Sequence, residues 1–244
     1  MDNPSHGRSD AGPGAGGASP PRFKGRILLA EDSPINQLVA KKLLGIFGCE
    51  VEVAESGEGA LALWEGRPFD LIFLDCRMPG MDGYEVARII RKREEGEDKR
   101  IPIVALTAET TLDERKWCLE AGMDDFLPKP ITAETVQAIL ARWLSGGPGG
   151  GPPPPARAAA PGGESPVIRL ETLAVFLGGG RGGEPDEETL EKMVSLFLSL
   201  APPKLQALRE AAGRGDGPAI RELAHSLKSS AYAMGAWRMV DICD

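Results

Sequence analysis

Four short apolar runs in the first half of the chain each end on a chemically capable side chain, and this pattern constrains the fold more than any other feature. Ile27-Leu-Leu-Ala30 runs into Glu31-Asp32, and Phe69-Asp-Leu-Ile-Phe-Leu74 into Asp75. Ile101-Pro-Ile-Val-Ala-Leu106 runs into Thr107-Ala108, and Asp125-Phe-Leu127 into Pro128-Lys129-Pro130. Continuous apolar runs closed by turn residues are the pattern of strands buried on both faces. Glu50-Val-Glu-Val-Ala54 adds a strand with alternating pattern. Helical spacing fills the intervals. Ser33-Pro34 offers a cap and a first-turn proline, Ile35, Leu38, Val39, Leu43 and Ile46 form a stripe, and Gly48 closes that helix. Ala60, Leu61 and Trp64 mark the next helix; Val136, Ile139, Leu140 and Trp143 mark the last. Five strands alternating with five helices predict an α/β fold, a doubly wound parallel sheet covered on both faces, over residues 25–145.

In such a sheet the carboxyl ends of the strands collect at one rim, where α/β folds place their chemistry. Glu31, Asp32, Asp75, Thr107 and Lys129 are therefore expected to meet. Converging carboxylates repel one another, and a hard cation such as Mg²⁺ resolves the repulsion. The set suits a phosphoryl group carried on a carboxylate. Asp82 reads as a helix cap, and Met78 and Met81 as packing.

Outside this unit the composition shifts. Residues 1–24 are rich in Gly, Ser, Pro and Asp and predict a disordered tail or linker. Residues 146–166, with Gly-Gly-Pro-Gly-Gly-Gly and Pro152 to Pro155, predict an interdomain tether. Residues 167–244 show helical spacing only. Leu190, Val194, Phe197 and Leu198 mark one helix, Ala201-Pro-Pro203 is expected to break it, and Leu205, Leu208 and Ala212 mark a second. Asp216 and Pro218 start a third, carrying Ile220, Leu223, Ala224 and Leu227. The expectation is a small helical bundle, truncated at its C-terminus because the final helix from about Ala236 stops at Asp244. That loss is expected to expose Leu223 and Leu227. His225 lies about 200° around the third helix from Leu223 at about 100° per residue, so it is expected to face outward, with Lys228, Ser229 and Tyr232 following on its face.

Composition excludes several classes. The net charge of −8 argues against a nucleic-acid surface. The basic run from Arg88 to Arg93 is interleaved with Ile89 and Ile90 and reads as a solvated helix face. Cys49, Cys76, Cys118 and Cys243 lack metal or redox spacing and read as small hydrophobes in a reducing compartment. No apolar stretch spans a bilayer and no signal-peptide core is evident, so a cytoplasmic location is expected, without membrane contact by this segment.

Residues 25–145, with Glu31-Asp32, Asp75, Thr107, Phe126 and Lys129 in this order, closely resemble the receiver domain of two-component response regulators. The resemblance implies that Asp75 is the phospho-accepting aspartate and that Mg²⁺ is held by Glu31, Asp32, Asp75 and the Arg77 backbone carbonyl. It also implies that Thr107 and Phe126 form the switch, that Lys129 pairs with the phosphoryl group, that the peptide before Pro130 is cis, and that the strand order is the 2-1-3-4-5 of chemotaxis receivers. Drawing Thr107 inward would make room for Phe126 and reshape the face formed by the fourth helix, the last strand and the last helix.

Ala224-His-Ser-Leu-Lys-Ser-Ser-Ala-Tyr-Ala-Met-Gly-Ala236 resembles the signature of histidine-containing phosphotransfer (HPt) domains. This implies phosphorylation of His225 with assistance from Lys228; Ser229 stands where that family usually has glycine. Together the two resemblances imply phosphorelay signal transduction, as in the C-terminal part of hybrid sensor histidine kinases. The implied partners are a sensor histidine kinase or kinase domain and a further receiver or HPt protein. The alternative is a phosphorylation-dependent binding module whose truncated bundle is inactive. An aspartate-nucleophile phosphatase is disfavoured, because Arg77 occupies the place of that class's second acid. A nucleotide-binding fold lacks its Gly-rich loop.

Overall fold

The computed structural model describes residues 21–97, 99–108, 111–145, 173 and 186–243. The expected tether at 146–166 and most of the expected tail lie outside the described residues. In chain order the elements are β1 (Arg26–Ala30), α1 (Pro34–Ile46), β2 (Glu50–Ala54), α2 (Gly57–Gly66), β3 (Leu71–Asp75), α3 (Gly83–Arg93), β4 (Ile103–Thr107), α4 (Leu112–Glu120), β5 (Asp125–Pro128) and α5 (Ala133–Leu144). Among the described residues the helices α6 (Glu187–Arg214), α7 (Gly217–Ala233) and α8 (Trp237–Cys243) follow.

The five strands form one parallel sheet in the order β2-β1-β3-β4-β5, as expected. Successive residues of a strand point to opposite faces. Ile27, Leu29, Phe73 and Val104 therefore pack with α1 and α5, while Leu28, Ala30, Ile72 and Leu74 pack with α2, α3 and α4. The register sets the rim: Ala30 pairs with Leu74, Asp75 with Leu106, and Thr107 with Pro128. Glu31, Asp75, Thr107 and Lys129 thus emerge at the same edge because their strands end in step.

Local chemistry accounts for the ends of the elements. Gly48 takes a φ of 83° just past α1, a conformation that glycine adopts without steric cost. Asp82 caps α3 in a reciprocal pair with Glu85, as its position suggests. Ser33 occupies the cap position of α1, yet its hydroxyl makes no capping bond; it lies 3.4 Å from the Ser230 hydroxyl on α7. The buried face of α1 is also wider than its expected stripe. Asn36, Ala40 and Leu44 are buried along with Ile35, Val39 and Leu43, whereas Leu38 and Ile46 are half-buried. Helix α1 is covered twice, by the sheet and by the C-terminal helices. Its apolar cluster continues into Met193, Ala233 and Met234.

Three expectations for the helical half are corrected. Pro202 and Pro203 do not break the chain into two helices: α6 runs through both. Their fixed φ suits a helix, and the intrahelical bonds they remove would have reached the carbonyls of Leu198 and Ser199. Those residues and both prolines are exposed, so water can satisfy the freed carbonyls. The apolar seam is also displaced. Leu198 is 66% exposed, while Met193 and Ala201 are buried and Leu190, Phe197 and Leu200 pack against the core. That seam has uninterrupted helical spacing across the prolines. On α7, Asp216 caps the helix by accepting from the Ala219 amide, as expected. Leu227, however, is 1% exposed and Leu223 is half-buried, so neither is left in water.

The basic run on α3 is only partly solvated. Arg88, Lys92 and Arg93 are exposed, but Arg91 donates to the Gly122 carbonyl at 2.7 Å and pairs with Glu94 and Asp124. Cys49, Cys76 and Cys118 are buried, as expected of small hydrophobes. Cys76 and Cys118, far apart in sequence, lie with their sulfurs 3.9 Å apart beneath the rim.

Candidate functional site

β1 delivers Glu31 and Asp32, β3 delivers Asp75, and the loop after β5 delivers Lys129, which precedes a cis peptide to Pro130. Carboxylate oxygens of Glu31, Asp32 and Asp75 lie within 4.8 Å of one another. The Lys129 ammonium bridges two of these acids, donating to Asp75 Oδ2 at 2.6 Å and Glu31 Oε2 at 2.7 Å. Its side chain is 6% exposed. Burial acts to lower the Lys129 pKa, but the charges of Asp75 and Glu31 outweigh it, so the ammonium is held more firmly protonated than usual. Burial pushes the Glu31 carboxyl up to about 7, helped by the negative charge of Asp75 and opposed by Lys129. Asp32, half-buried, is also raised, by burial and then by Glu31. Three carboxylates and the Lys129 ammonium thus share the rim.

The other expected positions surround this centre. Arg77 lies in the loop after β3, where its backbone amide donates to Asp75 Oδ1 at 3.1 Å. The Thr107 hydroxyl, at the end of β4, donates to Glu114 Oε1 at 3.3 Å. Phe126 is half-buried against the cluster beneath α3 and α4, with the Arg115 guanidinium 4.2 Å above its ring. Glu114 was not singled out from the sequence. In the first turn of α4 an acid reads as a partner of the helix dipole, yet here it is buried and also accepts from the Tyr84 hydroxyl at 2.7 Å.

The C-terminal helices close over this rim. His225 does not face outward to water. It is half-buried, and its pKa is pushed down to about 4, first by burial and then by the positive charges of Lys129 and Arg77. His225 lies on the face of α7 away from Leu223 and Leu227, and that face is where the sheet rim docks. Ser229, one turn on, is 5% exposed; its hydroxyl accepts from Asn36 Nδ2 at 2.9 Å and lies 3.4 Å from Lys129 Nζ. Asn36 in turn donates to Glu31 Oε1 at 2.7 Å. Lys228 lies 6.0 Å above the Tyr232 ring. Glu31, Asn36, Lys129, Ser229 and Tyr232 line a common cavity.

Two further residues carry no sequence signal for this role. Lys204 on α6 donates to the Ser226 hydroxyl at 2.5 Å, and its charge acts to lower the Asp32 pKa. Lys42 on α1 pairs with Asp186, the cap of α6.

Comparison with known proteins matches residues 27–141 to the response regulator receiver domain and residues 192–244 to the Hpt domain. The chain joins a receiver domain to an Hpt domain. The virulence sensor protein BvgS of Bordetella bronchiseptica is 30% identical over 91% of this chain. The sensor protein GacS of Pseudomonas syringae pv. syringae is 29% identical over 97% of it. This receiver–Hpt chain spans 18% and 25% of the length of those two proteins. Among solved structures, the receiver domain of the sensor histidine kinase PA1611 from Pseudomonas aeruginosa, described with a magnesium ion coordinated in its active-site cleft, is 42% identical. The alignment covers 50% of this chain and 98% of that one, with a TM-score of 0.46. Receiver and Hpt domains are components of phosphorelay signal transduction, and the chain carries both. None of the helices among the described residues is long and apolar enough to cross a membrane.

Proposed function

We propose that this chain passes a phosphoryl group between Asp75 and a phosphohistidine, either His225 or that of a partner protein. The working units are a receiver over 25–145 and a phosphotransfer unit over 167–244. The observation that carries the reading is the seating of the His225 face of α7 over the rim where Asp75, Glu31, Asp32 and Lys129 converge. In the transfer, a carboxylate oxygen of Asp75 attacks phosphorus as the phosphorus–nitrogen bond to the imidazole breaks, and the reverse step returns the group. A neutral imidazole is the form that can attack phosphorus, and burial beside Lys129 and Arg77 keeps His225 neutral at physiological pH. The Lys129 ammonium, already on Asp75, is placed to contact a phosphoryl oxygen, and Thr107 is placed to leave Glu114 for another.

The three carboxylates converge closely and suit a hard divalent cation. Glu31, Asp32, Asp75 and the Arg77 carbonyl would hold Mg²⁺, which supplies compensation for the phosphoryl oxygens when bound. Upstream, the proposed phosphate source is a sensor histidine kinase or kinase domain, and downstream a further receiver or Hpt protein, in the cytoplasm. The test is intact-mass analysis after incubation with acetyl phosphate and Mg²⁺. Wild type should gain a phosphoryl group, base-labile while it is on Asp75, and Asp75→Asn none. Full labelling of Asp75→Asn would remove the assignment.

A further inference from the structure

We infer that Ser229 is a positioning residue for phosphoryl exchange: its hydroxyl, bound by Asn36, sets the register of the histidine-bearing helix α7 on the receiver rim. The inference rests on the proposed exchange between Asp75 and His225 and adds the device that aligns the two groups. Ser229 is one helical turn beyond His225, so its side chain lies on the same face of α7. Its hydroxyl is buried, accepts from Asn36 Nδ2 at 2.9 Å and lies 3.4 Å from Lys129 Nζ. Asn36 is itself fixed, because the same amide nitrogen donates to Glu31 Oε1 at 2.7 Å. A continuous chain of contacts therefore runs from the acid at the end of β1, through α1, to the turn of α7 next to His225.

A residue without a side chain at this position would allow the helix to approach but would give the receiver nothing to hold. A hydroxyl of the same small size does both, and it offers acceptor lone pairs to two donors arriving from different elements. Ser33 and Ser230, whose hydroxyls lie 3.4 Å apart, add a second contact one residue along α7. The partner recognised is thus a receiver that presents an asparagine on the first turn of its first helix, beside its acidic pair. This chain's own receiver meets that description. Such alignment matters because in-line transfer depends steeply on the geometry of the two reacting groups.

The test uses the full chain in four forms: wild type, Ser229→Ala, Asn36→Ala and the double variant. Ala keeps the Cβ of serine and removes only the hydroxyl. Asp75 is loaded first, and the appearance of base-stable label on His225 is followed from loaded chains, so loading rates do not enter. Each single variant should slow exchange by roughly three- to tenfold, the effect of one ordinary side-chain hydrogen bond, and the double variant should be no slower than the slower single. The side-chain amide resonances of Asn36 should shift in Ser229→Ala. Wild-type exchange in Ser229→Ala, or multiplicative losses in the double variant, would overturn the inference. If wild type loads Asp75 but never labels His225, the exchange reading itself fails. The Asn36 resonances still decide the alignment: unchanged resonances in Ser229→Ala overturn it, and a shift upholds it.

Discussion

Lys129 carries more of this site than any other single residue. It is buried between Asp75 and Glu31 at hydrogen-bond distance from both. Removing one member of a buried ion pair leaves its partners uncompensated and costs about 3–5 kcal/mol. Lys129→Met should lose stability of about this size in urea unfolding without divalent cations. Millimolar Mg²⁺ should restore part of the loss, because the stranded carboxylates are the proposed metal ligands. An absence of any Mg²⁺ effect on that variant would show that the acids do not share a cation. Asp75 and Lys129 were legible from sequence because each stands alone at the end of an apolar run. Glu114, Asn36 and Lys204 were not, because a surface acid, amide or lysine on a helix looks the same whether it faces water or a neighbouring element.

At the scale of elements, helix α3 starts hard against the strand it follows. Gly83 packs on the Asp75 backbone carbonyl, and any Cβ at Gly83 would fall well inside contact distance of that oxygen. Gly83→Ala should therefore cost about 1–3 kcal/mol by overpacking and shift the end of β3. A lower Tm together with slower labelling of Asp75 by acetyl phosphate is the expected result, and wild-type values for both would contradict the packing argument. Helix α6 carries the opposite lesson. A Pro-Pro pair is a strong local signal for a break, yet α6 continues because the freed carbonyls face solvent and the seam from Leu190 to Ala201 stays in phase. Local propensity was overridden by packing on one side of the helix and water on the other.

For the whole molecule, docking of the helices on α1 is coupled to His225. Its pKa is lowered to about 4 from the ordinary value of about 6.5. The docked form therefore binds this proton less readily than the undocked form does. The contribution of His225 to docking is fully present above about pH 6.5 and is lost as pH falls through that value towards 4. The radius of gyration from small-angle scattering should rise over this window in wild type, and the rise should shrink in His225→Gln. Ala40 lies buried in the interface, lining the cavity beside Ser229. Ala40→Arg should force the helices off the rim and return the His225 titration towards 6.5. This is readable by NMR, since His6 is the one other histidine in the chain. A titration unchanged by Ala40→Arg would mean that the low pKa arises within the bundle alone.

The parallel sheet and the residues at its rim were legible in the apolar runs, while the strand order followed only from the resemblance to receiver domains. Strand burial and strand endings are short-range properties, written in four apolar runs and the side chains that close them. His225 was singled out by the resemblance of Ala224–Ala236 to the HPt signature, and helical phase placed it on the face of its helix away from Leu223. What lay against that face was decided only by the tertiary structure. Ser229 was placed on the His225 face by helical spacing, but Asn36 and Ser230 carry no such signal, and the three become a buried network only when residues 193 and 197 positions apart in sequence meet. The direction in which His225 points was a property of its helix, but its environment was a property of the docked assembly. Desolvation and neighbouring charge depend on distances between elements, and no pattern within one element encodes them.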